Sequence, residues 1–260
     1  MADRFRLDGK TIAMTGAAGI LGQGAVAAFL EAGARVCALD RTASDLDRLG
    51  DSPQLLKIAT DVSDPGSVRA AAERLDAHWG PADVLFNNAA TKSENFFAPF
   101  EEFPLQDWNS VLAVNLTGAM LCAQAFGTPM AQRGRGAIVN TLSIYGIVAP
   151  DQRIYEGSEY LGRPINTPAI YSASKAGLWG LTQYLASYWG GRGVRVNAIT
   201  PGGVFSGQNE TFVRNYAHRV PLGRMAERED IVNGMLFLAS DASSYLNGHN
   251  LVVDGGWTVW

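Results

Sequence analysis

Short runs that are apolar at every position alternate with longer stretches of helical periodicity from Thr11 to Val253, and this rhythm limits the chain more than any other feature. A run that is apolar throughout, rather than at every second residue, suits a strand covered on both faces, the condition found in parallel sheets. The runs span 11–15, 35–39, 55–60, 84–86, 137–142, 194–199 and 251–253. Helical patterns fall between them at 21–32, 65–79, 105–132, 171–188 and 227–240, with Gly33 closing the first. This succession predicts one α/β domain over 1–260, a doubly wound, seven-stranded parallel sheet with helices on both faces. Two segments, 149–168 and 203–224, show no clear period, and loops of that size inside a domain are usually functional.

Composition narrows the classes of function. Twenty-five acidic residues against 21 basic ones leave a net charge of −4, with no Lys/Arg tract to match a row of phosphates, so nucleic acid is not an expected partner. Cys37 and Cys122 each sit among apolar residues, which predicts reduced, packed thiols and a cytoplasmic address. The opening MADRFRLDGK has no apolar core. The long apolar stretches are broken by Gly, Gln or charge, so neither secretion nor a membrane span is expected. His78, His218 and His249 lack ligand spacing, and no metal is expected.

Thr15-Gly16-Ala17-Ala18-Gly19-Ile20-Leu21-Gly22 follows the first run and opens the first helix. Such a turn can be a plain strand-to-helix connection. In this context it also fits a Rossmann-type phosphate turn, with Gly16, Gly19, Ile20, Leu21 and Gly22 bringing backbone against a pyrophosphate at the helix's positive end. Asp40 stands 18 residues after Gly22 at the end of the second run, where a carboxylate accepts from both ribose hydroxyls and repels a 2′-phosphate. NAD is therefore expected ahead of NADP, with Arg41 beside it as the residue that could admit the phosphate.

Further along come Asp61-Val62, Asn87-Asn88-Ala89-Ala90, Tyr171-Ser-Ala-Ser-Lys175 and Pro201-Gly202. From Lys10 to Val259 this ordered set resembles the short-chain dehydrogenase/reductase family, and its length and ending resemble the shorter, single-domain subclass. The resemblance implies Asp61 and Val62 at the adenine, and Asn87, Asn88 and Ala89 along the adenosine. It places Pro201, Gly202 and Val204 beside the nicotinamide. It also implies a catalytic set of Asn115, Ser143, Tyr171 and Lys175, in which Ser143 holds the substrate oxygen and Lys175 also anchors the nicotinamide ribose. Asn115 would hold a water.

Two departures stand out. TGAAGILG has the glycine spacing typical of the longer subclass, and Ser143 precedes Tyr171 by 28 residues where about a dozen is usual, so an insertion lies between them.

Tyr171 and Lys175 are four apart on a predicted helix and share one face. A neighbouring positive charge favours phenolate over phenol and brings a group of ordinary pKa about 10 toward neutrality, as a general acid/base requires. The insertion carries Asp151, Gln152, Arg153, Tyr155, Glu156, Glu159, Tyr160, Arg163 and Asn166, a polar set suited to a hydroxyl-rich ligand such as a sugar, sugar acid or polyol. Tyr145, Asp151, Arg153 and Tyr155 are the candidate substrate contacts. A solvated loop or a subunit contact would use the same residues. Phe96, Phe97, Phe100, Phe103 and Trp108 are expected to pack a loop on a helix, and Trp257 and Trp260 to reach either the site mouth or an interface.

The leading expectation is thus an NAD(P)-dependent oxidoreductase of a secondary alcohol. A sugar-nucleotide epimerase or dehydratase with bound NAD, an enzyme of apolar alcohols, and a noncatalytic dinucleotide sensor are the alternatives. The family resemblance implies a homodimer or homotetramer built through 105–132 and 171–188.

Overall fold

Continuous apolarity becomes two-sided burial: no residue of β1 (Thr11–Thr15) is more than 1% exposed. The remaining strands of the main sheet are β2 (Arg35–Asp40), β3 (Leu55–Ala59), β4 (Val84–Asn87), β5 (Gly136–Thr141), β6 (Val194–Pro201) and β7 (Asn250–Val253). Every neighbouring pair is parallel, in the order β3-β2-β1-β4-β5-β6-β7. The computed structural model describes residues 4–160 and 162–260, with Tyr160 described by its backbone alone.

Helices α1 (Ile20–Glu31) and α6 (Arg228–Ala239) cover one face, where Ala25, Val26, Phe29, Ile231 and Met235 pack on Ile12, Met14 and Val139. On the other face lie α2 (Pro65–Trp79), α3 (Leu105–Arg133) and α4 (Ala169–Gly190), whose Leu75, Phe126 and Trp189 meet Ala13, Leu85 and Ile138. Ile12 and Ala13 thus serve opposite layers, as alternation along a strand requires. The connections reverse direction between β3 and β4, which opens a crevice beyond the carboxyl ends of β1 and β4.

The ranges expected from sequence hold to within two residues at each end. Three features were not anticipated. The 203–224 segment contains α5 (Glu210–Arg219), capped by Asn209, whose side-chain oxygen accepts from Phe212 N–H. Phe212, Val213 and Tyr216 give α5 its apolar face, in a ten-residue segment that is otherwise mostly polar. The 149–168 segment folds into a 3₁₀ turn, Gln152–Tyr155, followed by a two-residue hairpin, Glu159–Tyr160 with Arg163–Pro164. Finally, α3, expected over 105–132, is by length and composition apolar enough to cross a membrane, although Gly118, Gln124 and Gly127 interrupt its apolar residues. Its inner side, from Ala119 through Phe126 to Met130, is part of the core.

Two π-type turns, Ala113–Thr117 and Ala123–Gly127, interrupt α3. Cys37 and Cys122 are buried and unpaired, and burial pushes each thiol up to about 12. A ladder of polar side chains crosses this otherwise apolar layer. Asn87 Nδ2 donates to Asn140 Oδ1 (2.9 Å), Asn140 Nδ2 to Thr182 Oγ1 (2.9 Å), and Thr182 Oγ1 to Leu178 O (2.8 Å).

Candidate active site

At the end of β1 the chain turns through Gly16 in the left-handed region (φ +63°), where a Cβ would lie 2.8 Å from Ala89 Cα. Only glycine permits β4's continuation to come this close. Thr15 Oγ1 accepts from Asn88 N–H (3.0 Å) and Ala89 N–H (3.1 Å), and Asn88 Nδ2 donates to Gly16 O (3.1 Å), so the two crevice walls are tied together. The next element, α1, begins without a side-chain cap and without an acid in its first turn. Its first N–H groups therefore lack side-chain acceptors, the condition that favours an anion there.

Asp40, at the end of β2, is aimed by the turn itself: Oδ2 accepts from Ala18 N–H and Oδ1 from Arg41 N–H, each at 2.8 Å. A fixed carboxylate beside a helix start suits a diol acceptor and opposes a second phosphate. These features fit a dinucleotide: a glycine cradle that a Cβ would fill, an uncapped helix start, and a carboxylate one step away.

A cavity of about 580 Å³ runs from this turn to the ends of β5 and β6. Of the residues expected at a cofactor, Gly16, Gly19, Ile20, Leu21, Asp40, Arg41, Asp61, Val62, Asn88, Ala89, Tyr171, Lys175, Pro201, Gly202 and Val204 all line it. Two do not. Gly22 lies behind the turn, where a Cβ would stand 2.2 Å from Gly16 O, so it serves the packing of helix on turn. Asn87 points into the polar ladder instead of along the cavity. Ala18, Leu39, Asp45, Thr60, Ala90, Thr91, Val114, Thr141 and Leu142 complete the wall and were not singled out in the sequence.

Ser143, Tyr171 and Lys175 share the far end of this wall. The 28-residue separation of Ser143 and Tyr171 is spanned because the turn after the serine packs directly on α4: a Cβ on Gly146 would lie 2.9 Å from the Lys175 backbone. Ser143 Oγ accepts from Tyr145 N–H (3.2 Å), which fixes its rotamer. Lys175 is buried and its Nζ donates to Thr141 O at 2.7 Å. Desolvation pushes its ammonium down to about 8. Burial also raises the Tyr171 phenol above its ordinary value, while the Ser143 hydroxyl acts in the opposite direction. Thr141 is the residue whose importance the sequence concealed, since it acts through its carbonyl. Phe96, expected only to pack, meets the Tyr171 ring edge-on at 6.2 Å.

Asn115 is buried in the first π-type turn of α3 and does not reach the cavity wall. Its Oδ1 accepts from Thr91 N–H (2.9 Å) and its Nδ2 donates to Ser174 Oγ (3.2 Å), while Ser174 Oγ donates to Tyr171 O (2.9 Å). It therefore touches the tyrosine's helix rather than the tyrosine's hydroxyl.

The four candidate substrate contacts, Tyr145, Asp151, Arg153 and Tyr155, also stand outside this wall. Asp151 pairs with Arg153 (2.8 Å) and with Arg219 (3.6 Å), and Tyr155 Oη shares a hydrogen bond with Thr167 Oγ1 (2.5 Å). Tyr145 is buried with its ring edge-on to Trp257. Asp151 and Arg153 bind each other, and Tyr145 and Tyr155 belong to an aromatic cluster on which Tyr171 also packs.

Residues 16–258 match the family model described as Enoyl-(Acyl carrier protein) reductase. The chain is 40% identical, over 98% of its length and 95% of the relative's, to the D-threitol dehydrogenase of Mycolicibacterium smegmatis. The chain belongs to the short-chain dehydrogenase/reductase family. Two solved members of that family superpose along nearly the whole chain. One is a short chain dehydrogenase from Leptospira borgpetersenii with bound NAD+, at TM-score 0.86 and 35% identity, covering 97% of this chain and 94% of that one. The other is a gluconate 5-dehydrogenase from Burkholderia cenocepacia in complex with NADP and tartrate, at TM-score 0.85 and 30% identity, covering 99% and 98%. As a member of this family the protein is an oxidoreductase of CH–OH groups that works with a pyridine nucleotide.

Proposed function

We propose that this chain is an NAD-dependent dehydrogenase that interconverts a secondary hydroxyl and a carbonyl on a polyol or sugar acid. The observation that carries the reading is the placement of Ser143, Tyr171 and Lys175 at one end of a cavity whose other end holds the Asp40 carboxylate. When bound, the nicotinamide dinucleotide supplies the acceptor or donor of the hydride. Tyr171 takes the proton of the substrate hydroxyl in the oxidative direction and returns it to the carbonyl oxygen in the reductive one. Ser143 Oγ donates a hydrogen bond to that oxygen. The Lys175 ammonium, on the same helix as Tyr171 and held by Thr141 O, is the positive charge available to favour a phenolate that burial alone disfavours.

The Asp40 carboxylate supports NAD over NADP through its charge and its fixed orientation. Likeness to a D-threitol dehydrogenase and to a gluconate 5-dehydrogenase supports a small polyhydroxylated substrate. The insertion enters this reading as the frame of the substrate side, where Asp151 pairs with Arg153 and with Arg219 of α5. Tyr184 and Tyr188, stacked and exposed on α4, support a homo-oligomer, and light scattering on the eluting protein measures its mass.

Nicotinamide absorbance, followed with NAD or NADP against tetritols, hexitols, aldonic acids and apolar secondary alcohols, tests the reading. The expected result is NAD reduction by a polyol or aldonate, with kcat/KM for NAD at least about tenfold above that for NADP, as one repelled phosphate costs. Turnover confined to apolar alcohols would remove the substrate class, and no reduction with any member would remove the dehydrogenase.

A further inference from the structure

The segment that closes the catalytic end of the cavity, Pro201-Gly202-Gly203-Val204, is held from three sides. Gly202 N–H donates to Val253 O, and Gly203 O accepts from Ala226 N–H, each at 2.9 Å. The third hold comes from a side chain: Gly203 N–H donates to the hydroxyl of Tyr216 on α5. The contact has a shape requirement, because a Cβ on residue 203 would stand 2.6 Å from Tyr216 Cζ. Glycine at this position is what lets the phenol reach the backbone.

Tyr216 is itself fixed by segments that never touch the cavity. It is 3% exposed and stacks on Trp257 with centroids 4.5 Å apart and planes at 23°. Arg219 lies 5.5 Å above the same indole and pairs with Asp151 of the insertion. One helical turn earlier, Phe212 stacks on Tyr155 at 5.6 Å. Burial pushes the Tyr216 phenol up to about 12, so the hydroxyl stays neutral across the working range. The insertion, α5 and the turn at Trp257 therefore set one oxygen atom, and that oxygen sets the Gly203 amide.

We infer that Tyr216 is a positioning residue for the dinucleotide: its hydroxyl holds the 201–204 backbone against the cavity and so links α5 to dinucleotide affinity. This rests on the reading of the cavity given above. Without the phenol oxygen, the Gly203 N–H loses its acceptor and the segment gains alternative positions. A dinucleotide then meets a competent wall only part of the time, and its apparent affinity falls by that fraction.

Tyr216→Phe removes the oxygen and keeps the ring on Trp257. The dissociation constant for NAD, measured by calorimetry, and the KM for NAD are each expected to rise about tenfold, the scale of one lost hydrogen bond to a buried amide. Under saturating NAD, kcat is expected to change less than about twofold, since Tyr171, Ser143 and Lys175 are untouched. Gly203→Ala, which drives the phenol away with a Cβ, is expected to weaken NAD in the same direction. A Tyr216→Phe protein that binds NAD as the parent does, or that loses kcat at unchanged affinity, overturns the inference even if its Tm falls. A parent chain that binds neither NAD nor NADP removes the reading of the cavity and this inference with it.

Discussion

Between Gly16 and Val62 the cavity wall is made largely of backbone groups and of residues that follow one another closely in the chain. From Ser143 to Val204 it is made of side chains and carbonyls whose positions are set by distant segments: α4, α5, the insertion and the turn at Trp257. The first wall is stiff because its glycines leave no room for alternatives, as the would-be contacts at Gly16 and Gly22 show. The second is stiff because aromatic rings and one lysine are wedged together. A dinucleotide, the same in every reaction, runs from the first kind of wall to the second, and a substrate that differs from enzyme to enzyme meets only the second.

Substitutions can separate the two walls. The largest effect is expected from Tyr171→Phe, which should lower kcat by about 10³, within the range for a general acid/base, and leave NAD affinity within about twofold. A parallel loss of affinity in a binding titration would mean that the walls are not independent. Gly22→Ala comes next. Its Cβ would lie 2.2 Å from Gly16 O, and the clash should cost about 2–3 kcal/mol of stability, read as a fall in Tm, together with weaker NAD binding.

Lys175→Met tests the second wall through pH. The native ammonium is pushed down to about 8 from 10.5, so between those values the unfolded chain binds more protons than the folded one. Stability of the dinucleotide-free protein should therefore climb as pH rises from about 8 to 10.5 and fall back as pH drops through 8. The methionine variant should lack this rise and be about 1 kcal/mol more stable at neutral pH, while inactive. Denaturant titrations at several pH values give the slope directly. The smallest effect belongs to Arg153→Ala. Its side chain is 80% exposed in a surface pair with Asp151, so stability should change by less than about 0.5 kcal/mol and kcat/KM hardly at all. A large loss of kcat/KM would return the insertion's ion pair to the substrate.

The same contrast explains what could be read from the sequence. The seven strands and the glycine turn were legible because burial on both faces and close backbone approach are local demands, written in consecutive residues. Asp40 was legible for the same reason, being a fixed distance beyond the turn. Ser143 was recoverable despite the insertion because it ends a strand. Thr141 was hidden because its carbonyl, common to every residue, does the holding. Tyr216 was hidden because its acceptor role depends on Gly203, 13 positions away. The substrate candidates in the insertion were chosen for polarity, and the structure shows that polarity satisfied within the insertion and by Arg219.

The polar ladder beneath the sheet has a consequence for how α4 can move. Lys175 and Thr182 are seven residues apart on one helix face, and they grip consecutive residues of β5, the carbonyl of Thr141 and the amide of Asn140. A slide of the helix along the strand by a single residue, about 1.5 Å, would break both holds at once and leave amide groups facing hydrocarbon. The position of the ammonium along β5 is thus gauged by two latches on one strand.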